Sequence, residues 1–209
     1  LLRRPGQELA VADADAAQYL APPDPVRAGE EHDALAAAYR AAGVAVVSVP
    51  DTDRPTPNRM FCADLFAMTP AGAILARPAS TVRAGEEVSV AAALAAARVP
   101  ILATLTGTAT FEGADLMWLD AETALVGRGL RTNGEAVAQI AARLAAIGCT
   151  AIPVDMPWGT MHLMGMLRIL DRDLAIAWLR RTPHRAVAEL RARGVEVAFL
   201  PEGEEAATG

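Results

Sequence analysis

A pattern that recurs roughly every 45 to 55 residues constrains this chain more than any other feature. Each copy contains an alanine-rich amphipathic helix, then a glycine or turn, then a short strand rich in β-branched residues, and the copies lie at residues 33–49, 88–105, 135–154 and 186–200. In the first copy we expect Leu35, Tyr39 and Ala42 to lie on one helical stripe. Gly43 then supplies a left-handed helix stop, and residues 44–47 follow as a buried strand.

Hairpins closed by short polar turns are predicted between these copies. We expect residues 60–66 to pair with 73–76, residues 116–119 with 124–127, and residues 166–170 with 174–178. The repeating unit is therefore strand, strand, helix, strand. Residues 1–6 read as a further strand, which gives three nearly complete units and the trailing part of one at the start. The sequence ends at residues 202–209, where another hairpin is expected.

Composition and charge exclude several classes of function. The 209 residues are 53% hydrophobic and 21% charged, which is typical of a globular protein. A net charge of −6 without a basic tract argues against nucleic acid and against an anionic membrane as partners. No signal peptide or membrane helix fits the sequence. No histidine and cysteine cluster has metal spacing and no glycine loop has phosphate-binding form, so we expect no cofactor.

Four ionisable residues beside hydrophobic strand patterns are candidates for a functional site. Asp64 lies between apolar residues, where an unpaired carboxylate is costly. Glu112 and Asp115 precede the strand predicted at 116–119, and a turn at the strand start is the alternative interpretation for both. His162 also has apolar neighbours, and such a histidine by itself is more often a satisfied core residue. We expect the segments around these residues to face one cavity.

Arginines and cysteines complete the set of candidates. Arg131 precedes Thr132 and Asn133, and this segment also fits a helix N-terminus with a capping side chain. Two cysteines are too few for a disulfide scaffold, which favours a reducing, cytoplasmic environment. Cys149 fits buried packing. Cys62 would share one face of a strand with Asp64, as a residue that lines the pocket and not as a nucleophile, because a neighbouring carboxylate raises a thiol pKa.

Five short motifs, in this order and on this repeat, resemble the guanidino-group-modifying superfamily, the pentein or β/α-propeller fold. That superfamily contains arginine deiminases, dimethylarginine dimethylaminohydrolases and amidinotransferases. The resemblance covers the whole chain and implies an α/β propeller of ββαβ units in one domain over residues 1–209, incomplete at both ends and without its last unit. The motifs are Asn58-x-x-Phe61-x-x-Asp64, Arg83-Ala84-Gly85-Glu86, Glu112-Gly113-Ala114-Asp115, Arg131-Thr132-Asn133 and Met161-His162-Leu163.

The resemblance also implies a mechanism and roles for its residues. In the family a cysteine attacks the guanidinium carbon, and water or an amine resolves the resulting thiouronium intermediate. Asp64 would hold guanidinium nitrogens and His162 would act as acid and base. Glu112 would orient the histidine or contact the substrate. The nucleophile would lie beyond residue 209.

The remaining substrate contacts implied by the resemblance come from three other residues. Arg131 and Arg83 would pair with a substrate carboxylate, and Asp115 is a further substrate-binding candidate. Two positions depart from the family pattern, which usually has arginine where this chain has Ala63 and often has aspartate where it has Met164. These departures argue against plain arginine deimination and favour an altered or alkylated guanidino group or a different amidine.

Three functions are therefore compatible with the sequence. The first is a hydrolase that acts on carbon–nitrogen bonds of an arginine or methylarginine type of substrate. The second is an amidinotransferase that passes the amidino group to an amine. The third is a non-catalytic protein that binds guanidino compounds. An open edge left by an absent unit would favour either association into a homo-oligomer or instability.

Overall fold

The computed structural model describes residues 1–10, 12–51 and 56–201. The hairpin expected at residues 202–209 lies outside the described residues. The helices are α1 (Ala14–Ala17), α2 (Pro25–Ala41), α3 (Glu86–Ala96), α4 (Gly134–Ala146), α5 (Leu163–Met166) and α6 (His184–Ala192). The strands are β1 (Phe66–Thr69), β2 (Gly72–Leu75), β3 (Ile101–Thr104), β4 (Leu116–Trp118), β5 (Thr123–Arg128), β6 (Thr150–Asp155), β7 (Leu167–Ile169), β8 (Leu174–Ala177) and β9 (Glu196–Phe199).

Three sheets of identical topology form the body of the molecule. In each sheet the first strand pairs antiparallel with the second, and the second pairs parallel with the third. A helix (α3, α4 or α6) connects the second strand to the third. The first strands begin at Phe66, Leu116 and Leu167, about 50 residues apart. The predicted ββαβ repeat and the second and third hairpins are confirmed, whereas the first hairpin forms with residues 66–69 as its first strand.

The middle unit shows how the sequence specifies these elements. The side chain of Asn133 accepts a hydrogen bond from the Ala136 N–H, which caps the start of α4. Helical spacing then directs one apolar stripe toward the core. The residues buried on this stripe are Ala136, Val137, Ile140 and Leu144.

The first and the middle sheet each pack against the helix of the next unit, so the units stack in sequence order. One hydrophobic cluster joins the first sheet to α4, and a second joins the middle sheet to α6. Strand β5 is buried on both faces, since Ala124 and Val126 lie in the first cluster and Leu125 lies in the second. Burial of one leucine or isoleucine contributes about 1.5–3 kcal/mol, and both clusters contain several.

The first copy of the sequence pattern folds only in part as expected. Its helix α2 forms, with Asp24 as the capping residue, and Gly43 follows the helix with a positive φ of 78°. Leu35 and Tyr39 are exposed, and residues 44–47 are not a strand. The predictions of strands at 1–6 and 44–47 are wrong. A β-branched run needs partner strands to form a stable sheet. The bridge that this segment forms joins residues 2 and 48, directly after the run at 44–47.

The strand predicted at 60–65 is also wrong, because these residues form turns, including a 3-10 turn at Cys62–Asp64. The guanidinium of Arg83 donates hydrogen bonds to the carbonyls of Asn58 and Phe61, which keeps this segment folded back. Cys62 therefore packs in a hydrophobic cluster and does not share a strand face with Asp64. In the described part of the chain, no helix combines the length and the apolar character that membrane crossing requires.

Candidate active site

Each of three successive units contributes one ionisable side chain just before its first strand. Asp64 ends the 3-10 turn before β1, and Glu112 precedes the turn that leads into β4. His162 is the residue before α5, which leads into β7. One ligand-type atom from each of the three side chains lies within 4.8 Å of the others. The repeat therefore brings three residues that are far apart in sequence to one centre.

A buried ion pair joins Glu112 and His162. The Nε2 atom of His162 lies 2.7 Å from Oε2 of Glu112, whose side chain is 0% exposed. Burial alone would lower the pKa of His162, but the hydrogen bond to Glu112 and the charges of nearby carboxylates raise it above its ordinary value. Burial raises the pKa of Glu112, but His162 and two arginines outweigh this and lower it. The pair therefore favours a protonated imidazole beside an ionised carboxylate.

Arg83 is 4% exposed and uses every nitrogen of its guanidinium on protein acceptors. Its Nη1 donates to Asp64 at 2.5 Å and its Nε donates to Glu86 at 2.8 Å. Nη1 also lies 3.5 Å from Glu112, and Nη2 donates to the two carbonyls at residues 58 and 61. These contacts argue against a direct bond from Arg83 to a substrate carboxylate. The substrate-binding role of Arg83 stays a prediction.

Arg131 is 6% exposed and is therefore buried like Arg83, but its partners differ from those of Arg83. Its Nη1 lies 3.5 Å from Oε1 of Glu112. Its Nη2 donates to the side-chain oxygen of Gln18 and lies 3.7 Å from the sulfur of Met161. Its Nε is buried and has no hydrogen-bond acceptor among the described residues. Arg131 therefore keeps donor capacity that a ligand can use, and its predicted role remains compatible with the geometry.

Asp115 is buried and has only protein partners among the described residues. It accepts hydrogen bonds from the hydroxyl of Thr132 at 2.6 Å and from the N–H of Leu163 at 2.9 Å. Burial raises the pKa of Asp115 to about 6, although the positive charge of His162 and the two hydrogen bonds oppose this. Because it ties the segment before α4 to the start of α5, Asp115 fixes the position of His162. A substrate contact by Asp115 stays a prediction.

Three residues of the centre were not assigned by sequence reasoning. Glu86 belongs to a motif that was recognised, but the motif alone did not show that it binds Arg83. The sequence predicts either Thr132 or Asn133 as the helix cap; Asn133 is the cap, and Thr132 binds Asp115. Gln18 gave no signal, because its contact with Arg131 joins segments 113 residues apart.

The two cysteines lie in hydrophobic clusters and not at the centre. Cys62 packs beside Leu65 and Val90, and burial raises its thiol pKa to about 11. Cys149 packs with the residues that join the first sheet to α4. The Cys62 thiol, with a pKa of about 11, is almost fully protonated at neutral pH and is a poor nucleophile.

A metal ion is one possible occupant of the centre, because Asp64, Glu112 and His162 are residue types that bind metals. However, the Oε2 of Glu112 and the Nε2 of His162 already bind each other at 2.7 Å. Two guanidinium groups also lie within 3.5 Å of Glu112 and would repel a divalent cation. The arrangement therefore favours an organic ligand with hydrogen-bond donors over a metal.

Comparisons with known proteins agree with this architecture. A family model for "N,N dimethylarginine dimethylhydrolase, eukaryotic" matches residues 25–186. No curated protein sequence matches the chain. Solved structures of similar fold include a dimethylarginine dimethylaminohydrolase adduct with 4-chloro-2-hydroxymethylpyridine. Its TM-score is 0.78 at 23% identity, and the match covers 99% of this chain and 77% of that chain.

Two further solved structures extend the comparison. One is a cysteine-to-serine mutant of dimethylarginine dimethylaminohydrolase from Pseudomonas aeruginosa, complexed with citrulline. Its TM-score is 0.81 at 24% identity, with 98% of this chain and 76% of that chain covered. The other is the N-terminal domain of an arginine dihydrolase of the ornithine–ammonia cycle in cyanobacteria, bound to product. Its TM-score is 0.83 at 15% identity, with 100% and 77% covered. These likenesses confirm the predicted α/β pentein fold.

Proposed function

Because the chain belongs to the N,N-dimethylarginine dimethylhydrolase family, we propose that its centre binds a guanidino compound of the arginine or methylarginine type for cysteine-dependent hydrolysis. The observation that most supports this is the convergence of Asp64, Glu112 and His162 from three successive units. A planar guanidinium offers several N–H donors in fixed directions, and carboxylates are its preferred acceptors. The centre presents such acceptors at a buried position.

Charge and unused hydrogen-bonding capacity both favour a cationic ligand. The Oε1 atom of Glu112 is buried and accepts no hydrogen bond from the described residues. A guanidinium N–H would satisfy this atom, and an unsatisfied buried acceptor is costly without it. Carboxylates also outnumber guanidinium groups at the centre by two, which leaves a net negative charge even when His162 is protonated. The carboxylates are Asp64, Glu86, Glu112 and Asp115, and the guanidinium groups are Arg83 and Arg131.

The raised pKa of His162 suits a donor of protons to a leaving nitrogen. In the proposed reaction a cysteine thiolate forms a bond to the guanidinium carbon. The departing carbon–nitrogen bond breaks as the nitrogen takes a proton from His162, which leaves a thiouronium group. His162 then removes a proton from water, and the water oxygen bonds to the same carbon. The carbon–sulfur bond breaks and the second proton of that water passes to solvent, which releases a neutral ureido product and the thiolate.

We propose that this thiolate comes from chain outside the 209 residues, because both cysteines of this sequence pack in hydrophobic clusters. The same observation favours a second candidate function. A chain that has the acceptors and the histidine but no accessible thiol would bind guanidino compounds without turnover.

Direct binding to the 209-residue protein tests the proposal. We expect L-arginine or a methylated arginine to give saturable heat by titration calorimetry, and norleucine, which has no guanidinium, to give none. Asp64→Asn and Glu112→Gln should each weaken binding roughly 10- to 100-fold, because each removes a charge-assisted hydrogen bond. Asp155→Asn is the matched control, since Asp155 is an exposed carboxylate that pairs only with Arg128 in the described hydrogen bonds. Equal binding by the three variants would refute the proposed site.

Turnover separates the candidate functions. The full reading frame that encodes these residues should release a citrulline-type product from the ligand that binds best. Release of ornithine only when an amine acceptor is present would instead support an amidinotransferase. Binding without either product would support the non-catalytic candidate.

A further inference from the structure

One edge of the Arg131 guanidinium is only half occupied. On this edge Nη2 donates to the side-chain oxygen of Gln18, while Nε is buried and has no acceptor among the described residues. A carboxylate binds arginine best through two oxygens, each of which accepts from one nitrogen of the same edge. A single amide oxygen fills half of that arrangement. The buried Nε therefore indicates that a ligand with two oxygens completes it.

The backbone of Gln18 is fixed, although its side chain is exposed. Gln18 ends α1 in the left-handed conformation, with φ 63° and ψ 37°, and its N–H bonds to carbonyls of that helix. The adjacent residues are tied to the segment before the Cys62–Asp64 turn. The side chain of Asn58 donates to the Ala17 carbonyl at 3.0 Å, and the Tyr19 hydroxyl donates to the Pro57 carbonyl at 3.1 Å. The amide of Gln18 can therefore leave Arg131 without any change in the backbone.

We propose that Gln18 is a specificity-determining residue whose amide oxygen occupies the place of one carboxylate oxygen of the ligand. This inference rests on the proposed function and assigns to Gln18 a part in selecting between guanidino ligands with and without a carboxylate. On binding, the carboxylate displaces the amide oxygen and accepts hydrogen bonds from both Nε and Nη2 of Arg131. Each carboxylated ligand must therefore compete with Gln18. A guanidino amine without a carboxylate leaves the contact between Gln18 and Arg131 in place.

Two ligands that differ only in the carboxylate test this competition. L-arginine and agmatine have the same guanidinium and chain, and agmatine lacks the carboxylate. Removal of the competing oxygen in Gln18→Leu should tighten L-arginine about 3- to 10-fold by calorimetry. Gln18→Glu places a carboxylate on Arg131 and should weaken L-arginine about 10-fold or more. Agmatine should change less than about twofold in both variants, since its binding needs no displacement.

Gln7→Leu is the matched control, since Gln7 is an exposed glutamine of the same N-terminal segment. It should leave both affinities unchanged. If Gln18→Leu weakens L-arginine, or if agmatine affinity changes in parallel, Gln18 only holds the segment in place and the inference is wrong. If neither ligand binds the unchanged protein, the proposed function itself fails and the inference falls with it. Circular dichroism of each variant confirms that the fold is retained.

Discussion

Arg83 and Arg131 occupy equivalent places in two successive units, three residues before the helix that begins at Glu86 or at Gly134. Both are buried and both lie 3.5 Å from Glu112. Arg83 has acceptors for all of its nitrogens, whereas the Nε of Arg131 has none among the described residues. The same position of the repeat therefore serves stability in one unit and, in our proposal, ligand binding in the next.

The third unit extends the comparison. Arg181 lies three residues before His184, the first residue of α6, and is only half-buried. It donates to the Gly159 carbonyl at 2.8 Å and lies over the ring of Trp178, 4.8 Å from its centroid. Arg181 contacts a carbonyl and an aromatic ring and not the central carboxylates. We therefore expect it to contribute least of the three arginines to stability and to ligand binding.

The largest expected effect is on stability, and it distinguishes the two buried arginines. Arg83→Met leaves Asp64 and Glu86 buried without their counter-charge and should lower the free energy of unfolding by about 3–5 kcal/mol. Arg131→Met should cost roughly 1–2 kcal/mol, because Glu112 keeps its bond to His162. Urea denaturation followed by circular dichroism measures both. Equal losses of stability in Arg83→Met and Arg131→Met would show that the two arginines stabilise the fold to the same extent. Arg83→Lys keeps a positive charge and should therefore lose less stability than Arg83→Met.

A pH effect of similar size is expected for the acid that fixes the segment after Arg131. The pKa of Asp115 in the folded state, about 6, lies above the ordinary value of 3.8. The folded protein therefore holds this proton more tightly, and its stability falls as the pH rises from about 4 to about 6. Asp115→Asn should remove up to about 3 kcal/mol of this fall, because it carries no charge to bury. Unfolding curves at several pH values test this, and an unchanged pH dependence would contradict it.

The affinity for L-arginine should depend more on Arg131 than on Arg83, which is the reverse of the order expected for stability. Arg131→Met should weaken L-arginine roughly 10- to 100-fold and leave agmatine unchanged, because only L-arginine has a carboxylate to lose its partner. Arg83→Lys should affect the two ligands alike, since Arg83 acts on Asp64 and not on a ligand carboxylate. Calorimetry of both variants with both ligands gives the comparison. A selective loss of L-arginine in Arg83→Lys would assign the carboxylate contact to Arg83 instead.

The charge state of His162 is expected to depend on the acid that the two arginines share. Glu112→Gln removes the hydrogen-bonded charge that raises the pKa of His162, so this pKa should fall toward its ordinary value. The sequence has three histidines, and His162→Gln identifies the resonance of interest in a proton NMR titration. An unchanged pKa in Glu112→Gln would show that other carboxylates dominate.

The smallest effect is expected in the third unit. Arg181→Leu should change the free energy of unfolding by less than about 1 kcal/mol, since a cation–ring contact that is open to solvent on one side contributes little. The affinities for L-arginine and agmatine should stay the same. A loss of binding in this variant would extend the site to the third arginine.

The repeat, its three complete sheets and the residues that precede each first strand could be predicted from sequence, because hydrophobic period and turn residues specify them locally. The first copy of the pattern, at residues 33–49, could not be predicted in full. Residues 44–47 have strand composition, but no neighbouring strand pairs with them in the described structure. The segment at Cys62–Asp64 was misassigned because its shape depends on Arg83, which lies about 20 residues later.

The centre shows the same limit. The short motifs identified Asp64, Glu112 and His162 as residues that converge, and the structure brings them together. The partners of each arginine depend on contacts between distant segments, which no local pattern specifies. The contact between Gln18 and Arg131 is the clearest case.

The central claim is that the centre of Asp64, Glu112 and His162 receives a guanidinium group. The most direct test is the NMR signal of the His162 ring during titration of the 209-residue protein with agmatine, which presents the guanidinium alone. We expect a saturable shift of this signal, no shift of the His32 and His184 signals, and a much weaker response in Asp64→Asn. An unmoved His162 signal, or an equal response in Asp64→Asn, would contradict the claim.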